Sequence, residues 1–169
     1  MKNKIQIISN RLSKNNIIKT LGLEPHPLEG GYFKRTYESN INIDSERKLL
    51  TSIYYMLTSD NPISSLHKNK SDIIHYYHLG SPLKYMLISP NGILNEHVLG
   101  PNLLKGEKLQ LLVKGGDWKV AKLCSGEYSL ISEAVAPGFE YKDNEISTPE
   151  QLKLFFPSLE DKINKFYGN

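Results

Sequence analysis

With 169 residues, 39% of them hydrophobic and 23% charged, the chain is sized for one domain with a real core, and no apolar run approaches the ~18 residues of a membrane span. A net charge of +3, from 21 basic residues scattered among 18 acidic ones, leaves no basic block to follow a phosphate backbone and excludes nucleic acid as the expected partner. A single cysteine, Cys124, excludes an internal disulfide and a cysteine-based zinc site within one chain; it reads as a small buried hydrophobe.

The segment 1–20 never forms the continuous apolar stretch of a secretory signal, which points to a cytoplasmic protein. Ile5, Ile8, Leu12, Ile17 and Leu21 fall at near-helical spacing with Gly22 available as a cap, so a short N-terminal helix is expected. Glu24-Pro25-His26-Pro27 cannot be helical, because each proline restricts the residue before it, and Gly30-Gly31 then introduces a strand over 32–37. From there the chain alternates short β-branched and aromatic runs with turn residues. The runs 49–57, 73–79, 83–88, 93–99, 109–113, 118–123 and 128–135 predict strands, punctuated by Asp60-Asn61-Pro62, Gly80-Ser81-Pro82, Pro90-Asn91-Gly92, Gly115-Gly116 and Ser125-Gly126. Many short strands without intervening helices predict an antiparallel sandwich or barrel. Thr148-Pro149-Glu150-Gln151 is a capping box with proline at the first helical position, predicting a helix over 149–156 and a further turn or two through Phe166.

Several separated signatures occur in order: His26-Pro27-Leu28-Glu29-Gly30-Gly31-Tyr32-Phe33, Thr51-Ser52-Ile53-Tyr54-Tyr55, Ser71-Asp72, Gly80, Leu99-Gly100, Gln110, Gly116, Trp118 and Val135-Ala136-Pro137-Gly138-Phe139. Together they resemble the cupin family of small proteins described as predicted sugar epimerases, over most of the chain from Leu21 to Phe156. The resemblance implies an all-β fold, a cupin double-stranded β-helix or jelly-roll barrel with short N-terminal and C-terminal helices, commonly paired as a homodimer. On that footing the chain divides into an N-terminal helix packed on the barrel (1–22), the barrel (23–146) and a C-terminal helical tail (147–169), all one domain.

The likeness also locates a site. Cupins in general carry two histidines and a glutamate ahead of a glycine; with Gly80 as anchor their spacing falls on His67, Asn69 and Ile73. The last metal histidine of the second cupin motif, counted from Gly116, falls on Lys119, which cannot bind a metal as an ammonium. The expectation is no metal and no other cofactor, with a divalent ion on His67 the disfavoured alternative. His75 and His78 stand three apart on one predicted strand and should face opposite ways; Ile73, His75 and Tyr77 should share the inner face. A bulge after His75 would change that.

His67 and His75 can be hydrogen-bonded residues of a barrel wall, but together with Gln110 and Lys119 inside one barrel they call for a polar guest. The expected ligand is a small sugar-like molecule in an interior pocket. His67 or His75 is the candidate base, Lys119 the group that steadies an oxyanion, and Gln110 the group that orients a hydroxyl. Glu29 is expected at the pocket mouth, with Phe33 and Tyr77 as further substrate-binding candidates. Trp118 can stack on a sugar ring or simply pack in the core. Arg35 and Glu38 stand where the resembling family usually carries the opposite charges. The leading functional reading is a sugar or sugar-derivative epimerase or isomerase using metal-free acid-base chemistry. A non-catalytic metabolite-binding cupin is the alternative, and a metal-dependent cupin enzyme comes third.

Overall fold

The computed structural model describes residues 12–45 and 47–167. Helix α1 (Lys14–Leu21) starts on Ser13, whose hydroxyl accepts from the Asn16 N–H at 3.3 Å, and stops at Gly22, whose φ of 62° turns its N–H back onto the Ile18 and Lys19 carbonyls. The part of the N-terminal helix expectation carried by Ile5 and Ile8 lies outside the described residues.

The strands are β1 (Glu24–Pro25), β2 (Tyr32–Glu38), β3 (Thr51–Thr58), β4 (Leu66–Asn69), β5 (Asp72–Gly80), β6 (Leu83–Ile88), β7 (Leu94–Leu99), β8 (Gln110–Val113), β9 (Trp118–Leu123), β10 (Tyr128–Ala136) and β11 (Asn144–Ser147). They form two sheets with antiparallel pairing throughout, in the orders β1-β2-β3-β10-β5-β8 and β11-β4-β9-β6-β7. This is the antiparallel barrel that the strand pattern predicts, and the all-β jelly roll with short terminal helices that the resemblance implies. Helices α2 (Pro149–Phe155), closed by the predicted Thr148/Gln151 capping box, and α3 (Glu160–Tyr167) finish the chain. No helix among the described residues is long and apolar enough to cross a membrane.

Alternation sorts the side chains. Between the sheets lie Tyr55, Leu57, Leu83, Tyr85, Leu87, Leu99, Leu111, Val113, Ala121, Leu123 and Ile131. The other face of the second sheet is covered by α2, α3 and the 3-10 turn between them, which bury Met86, Ile88, Trp118 and Val120 against Leu152, Leu159, Ile163 and Phe166. Strand β6 is therefore apolar apart from Lys84, because both of its faces are covered. A third cluster, around Ile17, Leu23, Met56 and Leu130, seats α1 on the outside of the first sheet.

The turn before β2 brings Glu29 inward. The His26 Nδ1 accepts from the Glu29 and Leu28 N–H groups at 2.9 and 3.3 Å, the Ser65 N–H donates to the Glu29 carbonyl at 2.8 Å, and the Tyr55 hydroxyl donates to the Gly30 carbonyl at 3.0 Å. Gly31 makes this turn possible: its φ is 68°, and a Cβ there would stand 2.6 Å from the Met56 carbonyl oxygen. Gly31→Ala should thus lower stability by roughly 1–3 kcal/mol from backbone strain alone, measured as a lower urea midpoint, and should displace Glu29.

Candidate functional site

One narrow cavity, open at its mouth, lies between the sheets. The first sheet contributes Phe33 and Arg35 from β2, Ile53 from β3, Ile73 from β5 and Glu133 from β10; the second contributes His67 and Asn69 from β4, Lys119 from β9 and Asn144 from β11. A deeper, nearly filled recess shares Glu29, His67, Lys119 and Glu133 with it and adds Tyr55, His75 and Tyr85. Single-residue alternation places these groups: His67 and Asn69 are two apart on β4, Ile73 and His75 two apart on β5, and Ile131, Glu133 and Val135 follow one another inward on β10.

The polar groups are all but closed off from solvent, with exposures of 6% for Glu29, 4% for His67, 1% for His75, 3% for Lys119 and 6% for Glu133. Around Glu133 they form a compact network. Its carboxylate stands 3.5 Å from Lys119 Nζ and 3.3 Å from His75 Nδ1, and Lys119 Nζ reaches His75 Nε2 at 3.3 Å. An ammonium only donates, so His75 Nε2 accepts from it and the ring hydrogen sits on Nδ1, facing Glu133 and, at 3.2 Å, the Tyr85 hydroxyl. Burial alone would push the Glu133 carboxyl up; His75 and Lys119 beside it outweigh burial and hold it well below the usual carboxylate range. Burial pulls the His75 imidazole down, against the opposing pull of Glu133.

His67 is arranged differently. Its Nδ1 donates to the Ser65 carbonyl at 2.8 Å, and burial holds the imidazole below its ordinary value of 6.5, against Glu29. In the neutral ring Nε2 is therefore a bare lone pair facing the cavity. Glu29 Oε2 lies 3.3 Å away, but two acceptors cannot bond to each other, and Nε2 has no hydrogen-bond partner. The other Glu29 oxygen accepts from Asn144 Nδ2 at 2.8 Å. Asn144 follows Asp143, a buried carboxylate anchored by Lys70 at 3.1 Å and by Arg47.

Neutral burial of His67 and His75 makes stability depend on pH. Their folded pKa values lie below 6.5, so the unfolded chain takes up protons first as pH falls. Their contribution is complete above 6.5 and drains away as pH drops below it, and Glu133, also lowered, adds a further loss below its ordinary 4.5. Melting temperature should therefore fall steadily from about pH 6.5 downward, and the double replacement of His67 and His75 by glutamine should flatten the slope between pH 6.5 and 5.

The structure brings His67, His75, Lys119, Glu29 and Phe33 together as the sequence expects. It does not bring the other three. Gln110 projects outward from edge strand β8, where Leu111 and Val113 take the inner positions. Tyr77 packs against the inner core and donates to the Gly80 carbonyl at 2.6 Å, away from the cavity. Trp118 is one residue from the inward Lys119, so it points to the opposite face, packed under the C-terminal helices with Lys68 Nζ 4.5 Å above its ring. A bulge in the β5/β10 pairing does follow His75, with His78 as its unpaired extra residue, but His78 still faces outward beside Tyr54. Cys124 is exposed instead of buried.

Sequence reasoning missed Glu133, Asn144, His26 and the deep tyrosines Tyr55 and Tyr85. Glu133 had a signal: it is the one charged residue in the run 128–135, at a position whose neighbours two away, Ile131 and Val135, are core. Asn144 had none, since β11 is four residues long and pairs only with β4. Arg35 lines the cavity while paired with Glu38 at 3.2 Å, so the altered charge order lies at the site itself.

A metal of the kind cupin barrels hold does not fit this donor set. Lys119 Nζ occupies the space between His75 and Glu133, bringing positive charge and no lone pair. Among the described residues, no three His, Cys, Asp or Glu side chains are disposed to hold an ion.

Residues 15–147 match the sequence profile of the family described as Cupin superfamily (DUF985). The uncharacterized protein YML079W of Saccharomyces cerevisiae is 37% identical over 134 residues, a stretch covering 69% of this chain and 66% of that protein, so the chain spans just under two thirds of this relative's length. Among solved structures, protein SO0799 from Shewanella oneidensis superposes with a TM-score of 0.84 at 33% identity, covering 90% of this chain and 96% of that one. A hypothetical protein from Leishmania major gives 0.82 at 34% identity, covering 90% and 97%. The barrel, its inward network and these matches agree: the chain belongs to the DUF985 family of the cupin superfamily.

Proposed function

We propose that the protein is an enzyme of proton transfer, an epimerase or isomerase of a small hydroxylated carbonyl compound such as a sugar or sugar derivative, working without a metal. The observation that carries this reading is the buried lone pair of His67 Nε2, aimed into the cavity without a hydrogen-bond partner. Buried ions lose several kcal/mol of hydration each, and a well-packed apolar replacement is often neutral or stabilising. A barrel wall has no need of Glu29, Lys119 and Glu133 in one cavity, whereas a reaction site does.

In this mechanism His67 Nε2 takes the proton from the carbon beside a carbonyl. The C–H electron pair moves onto the carbonyl oxygen, which Lys119 steadies electrostatically, while Glu133 and His75 hold Lys119 in place. Return of the proton from His67 to the neighbouring carbon, as the hydroxyl there loses its own proton and the former carbonyl oxygen gains one, gives the isomer; the epimer forms when solvent supplies the proton to the opposite face of the first carbon.

The test is solvent deuterium incorporation, followed by NMR, on a panel of pentoses, hexoses, uronic acids and their phosphates. Wild-type protein should exchange the hydrogen next to the carbonyl of at least one member, and prior dialysis against EDTA should leave the rate unchanged. Binding of panel members without exchange would establish the metabolite-binding alternative, and loss of exchange on chelation would overturn the metal-free mechanism.

A further inference from the structure

The buried, unpartnered polar atoms of the described residues include three around one cavity: His67 Nε2, Asn69 Nδ2 and Asn144 Oδ1. They are neighbours by construction. Asn144 stands opposite Asn69 in the β11/β4 pairing, and His67 is two residues along β4 on the same face. Neither amide is free to turn over. Asn69 Oδ1 accepts from the Ser71 N–H at 2.9 Å, which commits its Nδ2 to the cavity, and Asn144 Nδ2 donates to Glu29 at 2.8 Å, which commits its Oδ1. Asn69 is only 5% exposed, so its idle donor is shielded from bulk water and is satisfied by an ordered water or by a guest that displaces it.

One idle donor beside one idle acceptor selects a chemical group. A carboxylate or phosphate dianion can accept from Asn69 but has nothing to give Asn144. An ammonium can give to Asn144 but cannot accept. A neutral hydroxyl does both.

We propose that Asn69 and Asn144 form a hydroxyl-recognition pair, in which one hydroxyl of the guest accepts from Asn69 Nδ2 and donates to Asn144 Oδ1 next to the group that meets His67. Placing that hydroxyl beside the reacting carbon rests on the enzyme reading above, and it narrows the substrate class to hydroxy-carbonyl compounds. The pairing itself is a matter of binding and can be tested without turnover.

Calorimetric titration with glycerol, pentoses, hexoses and hexose phosphates supplies the probe; for a member that binds, its single-deoxy and single-deoxyfluoro analogues follow. One deoxy analogue should bind roughly ten- to hundredfold more weakly than its parent, because it leaves both amides unpaired in a buried site. The fluoro analogue at that position, which cannot donate, should not recover the full affinity. Asn69→Asp keeps the acceptor for the Ser71 N–H and removes the idle donor, so it should weaken the parent while abolishing most of the difference between parent and that analogue. Asn69→Leu, with its melting curve as control for folding, should do the same. The pairing is overturned if no polyol binds at millimolar concentration, if all deoxy analogues bind alike, or if the Asn69 variants weaken parent and analogue equally. Discrimination without carbon-bound exchange would leave this pairing standing and remove the enzyme reading instead.

Discussion

Replacing His67 by glutamine should lower the rate of carbon-bound proton exchange by about 10²- to 10⁴-fold, the usual contribution of a positioned general base, with the barrel still folded and ligand affinity changed far less. Two histidines are candidates by sequence, and their nitrogens separate them. His75 is engaged at both, with Lys119 at Nε2 and with Glu133 and Tyr85 at Nδ1, so it has no lone pair for a substrate. His67 is engaged only at Nδ1, by the Ser65 carbonyl. His75→Gln should therefore act as loss of a positioning residue: a smaller fall in rate, with the wild-type shape of the pH profile retained. That profile should have its acid limb below 6.5, because burial depresses the His67 pKa and the neutral ring is the active form. The limb should vanish with His67→Gln. An unchanged exchange rate in His67→Gln would remove His67 from the mechanism.

Lys119→Met should be the most destabilising single change at the site, by about 3–5 kcal/mol, since removing one partner of a buried pair strands the other charge. For a domain of this size that corresponds to a fall in melting temperature of roughly 6–20 °C. The stranded group is Glu133, whose carboxylate depends on Lys119 and His75 to stay ionised while buried. The double variant Lys119→Met with Glu133→Leu should recover most of the lost stability while exchange stays lost. A Lys119→Met protein as stable as wild type would mean that Glu133 sits neutral or hydrated, and the network described above would not hold.

The two expectations share a cause that bears on how the site could be read from the chain. The cupin motifs that the chain resembles, laid from Gly80 and Gly116, fall on His67, Asn69, Ile73 and Lys119, and all four line the cavity. Period-two alternation then carried His75 correctly, because β5 is regular from Ile73 to His75. On β9 the same alternation separates Lys119 from Trp118: neighbours in a strand face opposite ways, so of the two roles open to Trp118 the structure shows core packing. Alternation also removes Gln110 from the cavity: with Leu111 and Val113 as the inward pair, its own side chain must point out.

The sequence by itself determined the antiparallel all-β class, the order and nearly the bounds of the long strands, and the caps at Gly22 and Thr148. Those features are local: alternation, turn chemistry and capping act within a few residues of one another. Only the tertiary structure decided which of two histidines holds a free lone pair, that Glu133 clamps the lysine, and that Asn144 reaches Glu29 across 115 positions of chain. Hydrogen-bond engagement is set by partners brought together from different strands, through two short segments, β4 and β11, whose four residues each are too few to show a period. The opening motif that holds Glu29, and the histidine it faces, were legible; what the pair can do to a substrate depends on the side chains that fold in around them.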